Sequence, residues 1–197
     1  MAILGVAGSV TLLAGWRLYL AVFATGLAMR LGAFPLPEHL HSLEVLANPW
    51  VIGIAGSAAV VEFLADKVMW LDSVWDAVHT LIRPLGGALL ALAILDPADP
   101  ATQVIAFLLG GGASLAAHAG KAGARAVVNT SPEPVSNIAV STAEDVATAG
   151  LLYATYEYPG IAVGVAAVLL GVVAALLLMA RRILRKLIGR SGPARGA

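Results

Sequence analysis

Cysteine is absent from the chain. That excludes disulfides, thiolate metal sites and cysteine-based catalysis. Charge is scarce too: Asp, Glu, Lys and Arg make up 12% of the 197 residues, where a soluble domain carries about a quarter. The formal net charge is +0 and no long basic run occurs outside the C-terminus, so no electrostatic footprint for nucleic acid exists. The N-terminus has neither a basic n-region nor a small-residue cleavage site, which predicts that the first apolar segment is retained as a helix. What fills the chain instead is apolar, with 59% hydrophobic residues and a mean hydropathy of +0.88. This composition predicts an all-α, polytopic membrane helical bundle.

Six apolar segments approach the roughly 20 residues that a bilayer core demands. They run approximately from Ala7 to Leu31, Trp50 to Met69, Val74 to Leu95, Thr102 to Val127, Asn137 to Tyr156 and Gly160 to Ala180. Turn chemistry separates them: Phe34-Pro35-Leu36-Pro37, Asp96-Pro97-Ala98-Asp99-Pro100, Ser131-Pro132-Glu133-Pro134 and Tyr158-Pro159-Gly160. The remaining break, Trp70 to Ser73, reads as a tight turn. Arg181, Arg182, Arg185, Lys186, Arg190 and Arg195 hold half of all basic residues, which by the positive-inside rule sets a cytoplasmic tail over residues 181–197 behind one membrane domain over residues 1–180. Six crossings then put the N-terminus in the cytoplasm as well. The loops agree, because the outer ones hold Glu38, Glu44, Asp96, Asp99 and Glu157 without Lys or Arg, whereas Lys67, Lys121 and Arg125 adjoin the inner ones. Leu36, Leu40, Leu43 and Leu46 recur at helical spacing and predict a short amphipathic helix along the outer surface.

The charges gather in two clusters. Glu62, Asp66, Lys67, Asp72, Asp76 and Arg83 lie on the hairpin of spans two and three with its tip; His118, Lys121, Arg125, Asn129, Glu133, Asn137, Ser141, Glu144 and Asp145 lie on the hairpin of spans four and five with its tip. An ionisable group in hydrocarbon costs a few kcal/mol, so it faces a partner, a cavity or a solute. At an offset of 61 residues Asp72 aligns with Glu133, Asp76 with Asn137, Thr80 with Ser141 and Arg83 with Glu144. This weak internal repeat predicts two matched polar hairpins meeting at a shared cavity that opens to the cytoplasm. At 1.5 Å per residue, Glu62, Arg83, His118, Glu144 and Asp145 lie about 10 to 14 Å into their spans, and Arg17, beside Trp16 and Tyr19, about as deep. Asp66, Lys67, Asp72, Asp76, Arg125 and Glu133 are shallower and read as wet. Each feature also has a structural reading: a static ion-pair network for Glu62, Arg83, Glu144 and Asp145, snorkelling for Asp66 and Lys67, a hydrogen-bonded packing role for His118, and close helix packing for Gly110-Gly111-Gly112.

Several of these pieces together resemble a known group: Glu62-Phe63-Leu64-Ala65-Asp66-Lys67, Asp72-Ser73-Val74-Trp75-Asp76, Arg83-Pro84-Leu85-Gly86-Gly87, Lys121 with Arg125, Asn129-Thr130-Ser131-Pro132-Glu133-Pro134, Ser136-Asn137, and Ser141 through Glu144-Asp145. From about Gly15 to Ala180 the chain is similar to the bacterial integral-membrane family catalogued as Domain of Unknown Function 4126. The resemblance implies a multi-helix protein of a bacterial inner membrane. It implies no activity.

The residues support a small transporter or channel with a charged intramembrane pathway. In the two clusters seven carboxylates (Glu62, Asp66, Asp72, Asp76, Glu133, Glu144, Asp145) face four cations (Lys67, Arg83, Lys121, Arg125), a balance that favours a cation or a proton, while Lys121 and Arg125 would also suit an anionic lipid head group. The alternatives are an intramembrane enzyme or binding protein acting on a lipid phosphate, and a scaffold. Arg83-Pro84 resembles the Arg-Pro of membrane phosphatidic-acid-type phosphatases, but Asp76 stands where that motif needs lysine. Asp66, Asp72 and Asp76 are candidate metal ligands without the Asp-Gly context of head-group transferases. No catalytic residue or cofactor is assigned, and the metal is unknown. The lipid bilayer is the one partner implied throughout; Gly160, Gly164 and Gly171 would also permit a homo-oligomer.

Overall fold

A computed structural model describes residues 2–33, 38–128 and 134–190. Its helices are α1 (Ala2–Arg30), α2 (Pro49–Ala65), α3 (Met69–Leu95), α4 (Pro100–Val128), α5 (Pro134–Glu157) and α6 (Ala162–Arg190), with 3₁₀ segments at Glu38–Ala47 and Pro159–Ile161. Local chemistry sets the ends. Asn48 caps α2, its side-chain oxygen accepting from the Trp50 amide at 2.9 Å, with Pro49 in the first turn. Asp96 stops α3 in the left-handed region (φ 40°), and Asp99 accepts from the Thr102 amide at 2.9 Å to start α4. The turn between α2 and α3 falls at Asp66 to Val68, so Trp70 to Ser73, expected as the turn, is helical. No glycine or proline marks this stop.

α1 does not run straight. At Arg17 the backbone leaves the helical region (φ −143°, ψ 73°), and the contacts of the two limbs show that the chain turns back there. The first limb descends alongside α4: Leu4 and Thr11 share an apolar cavity of about 370 Å³ with Thr102 and Ala113, and Gly15 lies against Ser114 and Ala117. The second limb rises with α3, placing Leu18 on Gly86 and Gly26 on Leu46. Both limbs reach the α5–α6 connection. Ser9 Oγ donates to the Ala162 carbonyl at 2.9 Å and the hydroxyls of Thr25 and Tyr156 lie 3.1 Å apart, although a straight helix would separate Ser9 from Thr25 by about 24 Å. The N-terminus therefore shares an end of the bundle with the Glu38–Ala47 segment and Asp96 to Asp99. The opposite end, called the tip side below, holds the α2–α3 turn and the C-terminal turns of α4 and α6. This differs from the expectation that both termini lie on one side.

Among the described residues, Ala2–Arg30, Trp70–Leu95, Pro100–Ala126 and Pro159–Ile183 are long and apolar enough to cross a membrane. α1 reaches that length only as the sum of its limbs. α2, at 17 residues, extends about 25 Å. α6 continues through Arg181 to Arg190, so the expected boundary at residue 180 falls inside a helix. The Glu38–Ala47 segment is 3₁₀ rather than α. Leu43 is fully buried and joins Leu90 and Ile94 of α3 in the core, while Glu44 and Val45 are exposed.

Hairpins in connectivity are not hairpins in packing. α3 packs most extensively on α4, while α2 and α5 each pack mainly on α1 and little on the helix that adjoins them in sequence. The apex of α1 thus stands between two splayed pairs. A Cβ added at Gly87 would lie 2.4 Å from the Ser114 Cβ, and one at Gly110 2.4 Å from the Ala91 Cβ. Small residues set the α3–α4 spacing, as in helix pairs with no water to expel.

Candidate functional site

The break at Arg17 frees carbonyls at the end of the first limb, and buried cations take them. Lys121 Nζ donates to Trp16 O at 3.3 Å and Arg83 Nη1 to Gly15 O at 3.4 Å. These contacts replace the lost turn of helix. The Arg17 side chain, 1% exposed, leads away from the apex into acceptors on α2 and α5. Nη1 pairs with Asp66 Oδ2, Nη2 donates to the Ser141 carbonyl and hydroxyl at 3.1 Å each and lies 3.4 Å from Glu144, and Nε lies 3.0 Å from Asp145.

A second centre forms around Arg83. Nη2 meets Glu62 Oε1 at 2.5 Å, and Nη1 lies 3.3 Å from Asp76 and 2.7 Å from His118 Nδ1. Because arginine only donates, Nδ1 accepts and His118 carries its proton on Nε2. That nitrogen is 3.1 Å from both the Asp76 carbonyl and Thr80 Oγ1. The centres join at Asp66, whose Oδ2 also lies 3.5 Å from Lys121 and 3.4 Å from Arg125. Arg125 continues to Glu144 at 3.5 Å. Three cations thus surround one carboxylate at the end of α2.

Of the expected site residues, Glu62, Asp66, Asp76, Arg83, His118, Lys121, Arg125, Ser141, Glu144 and Asp145 converge here, and Asp72 lies beside them, fully buried. Lys67 does not. Its ammonium sits 3.1 Å over the Phe63 ring and donates to the Phe63 carbonyl, the snorkelling arrangement. Asn129 and Glu133 lie outside the described residues, and Asn137 is placed in α5 with its side chain outside them. Asp66, Asp72, Asp76 and Arg125, expected to be wet, are buried in protein, and Asp66 does not snorkel. Of the residues expected deeper in their spans, Glu62, Arg83 and His118 are buried, while the side chains of Glu144 and Asp145 are 15% and 22% exposed. Contacts with neighbouring helices, and not position along one helix, decide which charges are enclosed.

The repeat pairs separate as well. Thr80 and Arg83 belong to one centre, Ser141 and Glu144 to the other, and Arg83 pairs with Glu62 rather than with Glu144 or Asp145. Sequence reasoning noted Arg17 but left it out of the candidate site; one arginine between Trp16 and Tyr19, mid-way along a helix whose other charge, Arg30, lies in its last turn, was the available signal. His79, bonded through Nε2 to Tyr19 Oη at 2.9 Å and through Nδ1 to the Trp75 carbonyl at 2.7 Å, was missed outright.

The expected shared cavity is instead a filled ionic cluster with space on two sides. Towards the tips, a polar cleft of about 260 Å³ is lined by Asp72, Asp76, Thr80 and Arg125. Laterally, a groove of about 770 Å³ between α2 and α5 has Arg17, Glu62 and Asp145 along its lining. Among the described residues no group of three His, Cys, Asp or Glu side chains converges as a metal site; Asp66 is turned to Arg17, Lys121 and Arg125 and to Asp72, and Asp76 to Arg83. No curated protein and no solved structure matches the chain. The family described as Domain of unknown function (DUF4126) matches it over residues 4–179, and the chain belongs to that family.

Proposed function

We propose that this is a membrane transport protein that passes a proton or small cation through the cluster between the tip-side cleft and the lateral groove. The observation carrying this reading is the apex of a fold-back helix pair set among buried charges that are open on two sides. Irregular backbone at membrane depth is tolerated where it is enclosed by protein or lines a pathway, and broken helices mark ion sites in transporters. Acidic groups outnumber basic ones here, with Glu62, Asp66, Asp72, Asp76, Glu144 and Asp145 against Arg17, Arg83, Lys121 and Arg125. Asp76 borders the cleft and Glu62 the groove, both bonded to Arg83, so a cation or proton moving between them would exchange places with one guanidinium contact at a time.

The loop charges orient the tips to the cytoplasm of a bacterial inner membrane. Purified protein in liposomes, given an imposed proton, sodium or potassium gradient, should dissipate at least one of them faster than protein-free vesicles. Asp76→Asn and Glu62→Gln should abolish that flux while Lys67→Ala leaves it unchanged. Equal leak with and without protein for all three ions would sink the transport reading and leave the static network.

A further inference from the structure

We infer that the lateral groove is a binding site for an amphiphile with a primary ammonium head, of the ethanolamine-lipid kind. The inference needs only that the groove faces lipid, and does not depend on ion flux.

The walls set the first half of the ligand. Phe23, Val60 and Val146 line the groove, and Val60 and Val146 are 58% and 68% exposed, which in a bilayer means exposed to acyl chains. α2 and α5 both lean on α1 and leave the space between them open sideways. A water-soluble amine would gain nothing from such walls, whereas a hydrocarbon chain fits them.

The floor sets the second half. Every nitrogen of Arg17 already faces an oxygen: Asp66 at Nη1, Ser141 and Glu144 at Nη2, Asp145 at Nε. A phosphate would also meet carboxylates of its own sign, Glu62 and Asp145, in the same lining. The carboxylates are in the opposite condition. Glu62 is 1% exposed, its Oε1 goes to Arg83, and its Oε2 has no hydrogen-bond partner among the described residues; Asp145 Oδ2 is likewise buried and without one. A buried carboxylate oxygen without a donor is costly. A ligand that supplies N–H groups removes that cost, and one that supplies only acceptors adds to it. A primary ammonium carries three such donors; a quaternary ammonium carries none.

The delipidated full chain, titrated with ethanolamine, choline and glycerol phospholipids of identical acyl chains and followed by native mass spectrometry, tests this. The first ethanolamine lipid should bind about tenfold more tightly than the other two, the difference expected of one charge-assisted hydrogen bond. Asp145→Asn should erase the preference. Ala149→Trp changes an exposed groove residue, fills the space and leaves every charge in place, so it should lower the binding of all three lipids. Dodecylamine should displace the bound lipid where dodecyltrimethylammonium does not, a measurement on unaltered protein. Equal retention of the three lipids, preference for the anionic glycerol lipid, or unchanged selectivity in both variants would each overturn the proposal.

Discussion

Away from the tips, α3 and α4 meet through Gly87, Ala91, Gly110 and Ser114; nearer the tips the same two helices present Asp76, Arg83, His118, Lys121 and Arg125 to the apex of α1. The first half gains from close approach of backbones, where dispersion and packing do the work and nothing needs a partner. The second half gains nothing from approach unless every charge is matched, and its geometry follows from where acceptors and donors can meet. One region tolerates change of chemistry at fixed size, and the other tolerates change of size at fixed chemistry.

The strongest way to break this contrast is at Arg17. Arg17→Ala leaves Asp66, Glu144 and Asp145 short of a common cation and should cost about 3–5 kcal/mol, the range for breaking a buried pair from one side. Arg17→Lys keeps the charge without the fork and should restore part of it. Thermal unfolding of the detergent-extracted protein reads both. If the two variants fall equally, the guanidinium fork and not charge alone governs the apex.

Arg83→Ala should come next. It orphans Glu62 and Asp76 and removes the donor at His118 Nδ1, so its loss should exceed that of Lys67→Ala, whose ammonium lies on the Phe63 ring and carbonyl. Equal losses would mean that the second centre is wet.

In the small-residue half the expected order reverses. Gly110→Val should cost about 1–3 kcal/mol by overpacking against Ala91, although it introduces no charge. Gly112→Ala, where nothing lies within 4 Å, should be neutral or slightly stabilising through helix propensity. A polar substitution of similar bulk at Gly110 that unfolds the protein no further than valine would sharpen the point.

The helical class, the approximate extent of every helix and the convergence of most of the charges were legible in the sequence, because apolar length and proline punctuation report local preference. The fold-back was not. Arg17 carries neither glycine nor proline, so nothing local announces the break; it is held by Lys121 and Arg83, far along the chain. The place expected for the N-terminus assumed that a 29-residue apolar helix crosses the bundle once. Cysteines introduced into this cysteine-free chain at Ala2, Ala98 and Arg185 separate the topologies. An impermeant thiol reagent should label Ala2→Cys and Ala98→Cys from one side and Arg185→Cys from the other, and labelling of Ala2→Cys together with Arg185→Cys would restore the straight α1.

The smallest effect belongs outside both halves, at the start of α4. Asp99 is fully exposed, and its carboxyl is held below the usual carboxylate range chiefly by hydrogen bonds from the Thr102 side chain and amide. A carboxylate whose folded pKa is depressed contributes stability above its unfolded pKa, and that contribution disappears as pH falls through the folded value. The cap should therefore be at full strength at neutral pH and fade only in acid, below the ordinary carboxylate range. Asp99→Ser keeps an acceptor for the Thr102 amide without a titrating proton, so it should unfold close to the parent at neutral pH and show a flatter acid limb. Asp99→Ala should be slightly less stable at neutral pH and equal to the parent once the carboxyl is protonated. A difference between Asp99→Ala and parent that grows towards low pH would place the contribution somewhere other than the ionised cap.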